Sequence, residues 1–344
     1  MTNRWQSFDQ FISTALETPL EARQALVNGL LRERPNFPWV QGRQATFIYA
    51  RPGARNVAVN LDTIKADPPF APMQNLAGTS LWYVSLTFAV DDLLDYLIAV
   101  NDPMTPLAQE PNIVARVNQY WQSDPYNPLR ITTAQKSVSV LRMGEARPFP
   151  DWAKLQRVPK GSVYEHSINS TQLKFTGRKV WVYTPPGYDE HPNQDYPLLI
   201  LNDGQWAVGP MQVPNIADAL IKHGQMRPVI IAMMQSGDQN ARLNAYVGND
   251  RQYFFTLTEL LPFVQSQYRV DSDMLGVGGV GISAIAAAHT ALKNPIFTQL
   301  MMVSPPLAKG DDDALLPQYT NRFENVRTVP QRIFQSVGRY EAKG

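Results

Sequence analysis

The chain of 344 residues contains no cysteine. Disulfide staples, zinc thiolate sites and a cysteine nucleophile are thereby excluded. Histidine is scarce: four are present, His166, His191, His223 and His289. There is no excess of charge of one sign. The net charge is +1, with thirteen basic and thirteen acidic side chains up to residue 150 and eighteen and seventeen beyond it. Neither part presents a basic surface, which argues against nucleic acid or an anionic membrane as a partner. Long apolar runs are missing too. No stretch reaches the length of about 18 apolar residues that a membrane span needs. The N-terminal MTNRWQSFDQ does not read as a secretory leader, so the expectation is a cytoplasmic protein. Neither a metal nor an organic cofactor is implied, and the run Asp311–Asp313 reads as a solvated loop.

What is present is 44% hydrophobic content over a length that suggests more than one domain. Residues 1–35 read as a helical lead. Phe8, Phe11, Ile12 and Leu16 recur at helical spacing, as do Ala22, Leu26 and Leu30 after Pro19. Residues 36–130 carry short β-type runs between turn signals, among them Gln44–Ala50, Asn56–Leu61, Leu81–Phe88 and Leu94–Val100. That spacing predicts a β-sandwich of the immunoglobulin-like kind. Residues 131–160 fall in a proline-rich stretch and are read as a linker. From Gly161 to Gly344, strand and helix patterns alternate, which predicts an α/β domain with a mostly parallel sheet and helices on both faces.

The informative piece is Leu275-Gly-Val-Gly-Gly-Val-Gly-Ile-Ser283-Ala-Ile. A strand, a sharp turn and an alanine-rich helix surround one serine, as in a nucleophile elbow. Ser283 alone would more often be a helix cap. On the elbow reading its hydroxyl faces solvent, and the Ala284 N–H can donate to an oxyanion.

Residues 161–341 resemble the enterochelin-esterase type of α/β-hydrolase. The resemblance rests on Arg178-Lys-Val-Trp-Val-Tyr-Thr-Pro-Pro-Gly-Tyr-Asp189, Tyr196-Pro-Leu-Leu-Ile-Leu-Asn-Asp-Gly-Gln-Trp206, Glu259-Leu-Leu-Pro262 and the elbow ending in Lys293-Asn-Pro295. Residues 38–130, ending in Ser123-Asp-Pro-Tyr-Asn-Pro-Leu129, are similar to that family's N-terminal sandwich. The resemblance implies Ser283 as nucleophile and Glu341 as triad acid. It implies an oxyanion hole from the N–H groups of Ala284 and of Gln205 or Trp206. Arg242, Asn249 and Tyr253 are implied to line the substrate pocket. The chain departs from the family at Ile285, where a second glycine is expected, and at Asn244-Ala-Tyr, which replaces an acidic-leucine pair.

The family's general base is a histidine downstream of the acid, and none follows Glu341. His289 stands six residues past Ser283 on the same helix, ~9 Å further along and nearly on the other side. A serine without a base is a weak nucleophile. Two readings are open. In one, the chain is a serine esterase for carboxylic esters, siderophore-like or aryl-acyl, whose domain lacks its last strand and helix; the base is lost or comes from another chain of a homo-oligomer. In the other, the hydrolase fold serves non-catalytic binding of a small-molecule ligand.

Overall fold

Pro19 cannot continue a helix, and it splits the N-terminal apolar periodicity into α1 (Phe8–Glu17) and α2 (Leu20–Glu33). Ser7 caps α1 by accepting from the Gln10 N–H at 3.1 Å. The computed structural model describes residues 4–132, 136–147, 155, 157–247, 250–307, 326 and 328–340. They fall into two units, Met1–Phe149 and Pro150–Gly344.

Among the described residues of the first unit, ten strands follow the helical lead: β1 (Trp39–Gln41), β2 (Gln44–Tyr49), β3 (Val57–Asn60), β4 (Phe70–Pro72), β5 (Gln74–Asn75), β6 (Trp82–Thr87), β7 (Leu93–Val100), β8 (Trp121–Gln122), β9 (Arg130–Thr132) and β10 (Ser137–Arg142), with α3 (Ile113–Tyr120) before β8. They form a sheet in the order β1-β2-β6-β5 and another in the order β4-β3-β7-β10-β9, with β8 beside β7. Side chains alternate across a strand. Phe47 of β2 packs between the sheets against Tyr96 and Phe88, whereas its neighbour Ile48 points outward to Phe8, Phe11 and Leu30 of the helices. The helical lead therefore covers the outer face of the smaller sheet, and β2 is buried on both sides.

One boundary read from the sequence moves. Residues 131–160 were expected as a linker, but β10 pairs with β7 in the interior of the larger sheet. The prolines on either side of Ser137–Arg142 masked a run whose Val140 and Leu141 are core residues.

The second unit opens with the hairpin β11 (Ser162–Ser170) and β12 (Phe175–Thr184). There follow β13 (Tyr196–Leu201), α4 (Gly204–Val208), α5 (Val213–Lys222), β14 (Ile230–Met234), α6 (Gln239–Tyr246), α7 (Arg251–Phe255), α8 (Leu261–Gln267), β15 (Val270–Val280), α9 (Ile282–Lys293), β16 (Phe297–Val303) and β17 (Arg332–Ser336). The sheet order is β11-β12-β14-β13-β15-β16-β17. Pairings from β14 to β17 are parallel, and β11 and β12 join antiparallel. Ala207 and Ala217 of α4 and α5 pack on one face, and Leu261, Val264 and the alanines of α9 on the other. A π-helical turn, Thr256–Leu260, joins α7 to α8 just before Pro262, which has no N–H to donate back along the helix. Among the described residues no helix is long and apolar enough to cross a membrane.

The first unit holds a buried carboxyl with a measurable consequence. Asp124 accepts from the Tyr96 hydroxyl at 2.7 Å and from the Tyr126 N–H at 2.8 Å, with no exposure to solvent. Burial raises its pKa to about 6, and those hydrogen bonds oppose the rise only in part. A folded pKa above the unfolded one means that the fold favours the protonated acid. This stability is present at about pH 4 and is lost as pH rises through 6. The stability of the protein relative to its Asp124→Asn variant, from urea denaturation, is expected to fall by on the order of 2–3 kcal/mol between about pH 4 and 7.5. A difference flat over that range would disprove it.

Candidate active site at the carboxyl edge of the sheet

The carboxyl ends of β13, β14 and β15 share one edge, the side on which open α/β sheets hold their ligands. β15 turns into α9 through Gly281, whose backbone adopts φ 61° and ψ −128°, a strained conformation open to glycine. Its N–H donates to the Val303 carbonyl at 2.9 Å, which ties the turn to the end of β16. A Cβ added to Gly281 would meet nothing within 4 Å, so this position faces open space. A Cβ on Gly279 would lie 2.4 Å from the carbonyl of Ser283, so strand and helix approach too closely there for any side chain. These are the marks of a strained strand-to-helix elbow. They place its apex at Gly281, in Gly279-Val-Gly281-Ile-Ser283.

Ser283 is therefore not at the apex. It lies in the first turn of α9 with no solvent exposure. Its hydroxyl donates to the Val280 carbonyl at 2.9 Å and accepts from the Val280 N–H at 2.9 Å. The expectation of a solvent-facing hydroxyl is corrected: both hydrogen-bonding sides of Ser283 close the turn. Ile285 is a core residue of α9, and the position two beyond the apex belongs to Ser283.

The oxyanion-hole candidates separate in the same way. The Ala284 N–H donates to the Gly281 carbonyl at 3.0 Å, and the Trp206 N–H to the Asp203 carbonyl at 2.9 Å. Both are engaged. The N–H of Gln205 has no partner among the described residues, and neither has that of Ile282, the residue after the apex. Gln205 is fixed by its side chain, which donates to the Ser236 hydroxyl at 2.6 Å and accepts from the Ser236 N–H at 3.0 Å. Gly204 permits this arrangement, because a Cβ there would lie 2.4 Å from the Met233 backbone of β14.

Arg242 was expected to line the pocket. Instead it forms a bidentate pair with Asp203, Nε at 2.9 Å and Nη2 at 2.8 Å, and lies over the Trp206 ring at 4.7 Å. Burial depresses its pKa, but the Asp203 carboxylate outweighs burial and holds the value above normal. The Tyr246 hydroxyl donates to the same carboxylate at 3.2 Å. Asp203 itself sits in the left-handed region, φ 60°, where a non-glycine residue is held at a cost. Arg242 thus latches α6 to the loop after β13. Deeper in, Gln252 donates to the Asn202 side chain at 2.9 Å, and Asn202 donates to the Ser283 carbonyl at 3.4 Å.

Tyr253 lies elsewhere. Lys293 sits over its ring at 5.4 Å, and Lys293 ends α9, twelve residues or ~18 Å from Gly281. Asn249 and Glu341 lie outside the described residues. No histidine reaches Ser283. His289 bonds Asp250 at 2.7 Å, and His166 bonds the Tyr268 hydroxyl at 2.6 Å. His191 follows β12 and His223 ends α5, which puts both at the opposite edge of the sheet. Among the described residues no cluster of three or more acidic or histidine side chains could hold a metal.

A largely parallel seven-stranded sheet, with helices on both faces and an elbow at its carboxyl edge, defines an α/β-hydrolase domain, here preceded by a β-sandwich unit. Residues 172–323 match the family of putative esterases. The iron(III) enterobactin esterase of Escherichia coli K12 is 25% identical over 161 residues, 46% of this chain and 39% of that protein. The chain thus matches about two-fifths of that relative's length. Ferric enterobactin esterase from Salmonella typhimurium superposes with a TM-score of 0.68 at 21% identity, over 81% of this chain and 77% of that one. Enterobactin esterase from Shigella flexneri, solved in the presence of enterobactin, gives 0.66 at 20% identity, over 84% and 78%. At 20–21% identity these structures carry the fold.

The absence of cysteine makes the apex directly readable. Gly281→Cys is expected to react with Ellman's reagent in the folded protein, and Ser283→Cys only after unfolding. Circular dichroism shows whether each variant is folded. Equal labelling of the two folded variants would return the apex to Ser283.

Proposed function

We propose that this chain binds a small carbonyl- or carboxylate-bearing ligand at the carboxyl edge of its hydrolase sheet and does not hydrolyse it. One observation carries this reading: the apex of the elbow is Gly281, a residue without a side chain. A serine hydrolase needs a nucleophile there, a base within hydrogen-bond reach of it, and donors for the oxyanion. The donors are the part this site retains, in the N–H groups of Ile282 and Gln205, which have no partner among the described residues. Such donors attract an acyl or carboxylate oxygen whether or not a bond is later made to its carbon. The relatives solved with enterobactin and with 2,3-dihydroxy-N-benzoyl-serine point to an aryl-acyl ester or amide, siderophore-like in character, as the ligand class.

The competing reading is a carboxylic ester hydrolase working through Ser283, and the esterase family match over residues 172–323 favours it. In that reading Ser283 must break both hydrogen bonds to Val280 and move from complete burial to the surface. The two readings part on turnover. Hydrolysis of short-chain p-nitrophenyl esters by the protein and by its Ser283→Ala variant is expected to match the buffer background in both cases. Turnover by the parent that the substitution abolishes would establish Ser283 as a nucleophile and end the binding-only reading.

A further inference from the structure

Across the carboxyl edge from the elbow stands Arg178, at the start of β12. Because β12 is antiparallel to β14, its start lies beside the end of β14, with Val180 opposite Met234. Arg178 therefore stands at the same carboxyl edge as Gly281. β12 and β15 are separated by β14 and β13. Three strand spacings make this ~14 Å across the edge.

The Arg178 guanidinium stacks on the Phe175 ring at 3.7 Å. Its Nη2 lies 3.2 Å from where a Cβ on Gly237 would stand. The head is therefore turned in against the loop after β14 rather than out along the surface. Among the described residues it donates no hydrogen bond and forms no ion pair. The acidic groups nearby are committed. Asp238 accepts from the Ala241 N–H at 2.8 Å as the cap of α6, and Asp203 is held by Arg242. Asp238 and Tyr246 act on Arg178 only at a distance, and burial holds its pKa below the ordinary arginine value. A half-buried guanidinium with five donors and no acceptor is a liability to the fold. Arg242 of α6, paired with Asp203, shows the satisfied alternative.

We propose that Arg178 is the anion-binding arm of the site. It takes the carboxylate of an elongated organic acid whose acyl carbonyl sits at the Gly281 elbow. The assignment rests on the binding reading for the position of the acyl end, and on Arg178 alone for the acid. Arg is suited to this because its planar fork meets both carboxylate oxygens.

The test compares 6-benzamidohexanoate with its primary amide by isothermal titration calorimetry on the intact chain. The wild type is expected to bind the acid about tenfold or more tighter than the amide. Arg178→Gln is expected to erase that preference, and Arg178→Lys to restore part of it. The thermal midpoint of Arg178→Gln is expected to stay within about 5 °C of the wild type, since among the described residues Arg178 gives the fold a ring contact but no hydrogen bond or ion pair. The proposal is overturned by equal binding of acid and amide, which includes no binding of either up to solubility. It is also overturned by a fall in the midpoint of more than about 5 °C in Arg178→Gln, which would mark a structural role. Turnover of p-nitrophenyl esters with the acid preference intact would remove the binding-only reading and leave Arg178 in place. No turnover and no preference would do the reverse.

Discussion

Where β15 becomes α9, two stretches of backbone lie closer together than any side chain allows. The carbonyl of Ser283 stands 2.4 Å from where a Cβ on Gly279 would be. The contact is possible because the strand has glycine there and because the helix face toward the sheet is built from Ala284, Ala287, Ala288 and Ala291. The rest of the site hangs on this junction. The Ser283 hydroxyl holds the turn to Val280, the Ser283 carbonyl receives Asn202 from the end of β13, and Gln252 of α7 holds Asn202 in turn. A shift of α9 by the width of a methyl group would break all of these together.

The loop that faces the junction is secured from the other side. Asp203 would not keep a left-handed backbone unaided, and Arg242 and Tyr246 converge on its carboxylate. Farther along α9, Asp250 accepts from His289 and from Lys293 at 2.6 Å, which anchors the start of α7 to the same helix. These two ties depress the Asp250 pKa, that from Lys293 the more. The site is thus held by one buried ion pair near the apex and one more exposed cluster at the far end of the helix. Hydrogen bonds to charged groups in partly buried positions contribute more than surface pairs do, so the Asp203–Arg242 pair is the stronger constraint.

The order of elements was legible because periodicity and punctuation were strong. Pro19 and the alanines after Ser283 each announced their element. The sandwich was legible to its last strands, where the prolines around Ser137–Arg142 made core strand look like connection. The site was less legible, for two physical reasons. Glycines at 276, 278, 279 and 281 offer several registers for a strand-to-helix turn, and one-dimensional spacing cannot say which of them has positive φ. Ser283, as the sole hydroxyl in the stretch, drew the assignment to the wrong register by two residues. Arg242 was misjudged differently: sequence shows a cation in a pocket loop but not that Asp203, thirty-nine residues earlier, has already claimed it. Arg178 carried no signal beyond membership of a strand motif, because its interest lies in what it fails to touch.

A glycine apex also changes how a ligand leaves. An esterase empties its site by cutting what it holds, so that turnover clears the pocket and sets the clock. On the binding reading, a molecule held beside Gly281 departs intact, and its residence time depends only on the contacts that release it. Occupancy then reports the concentration of the compound outside, and the same scaffold that would act as a consumer becomes suited to storage, carriage or sensing.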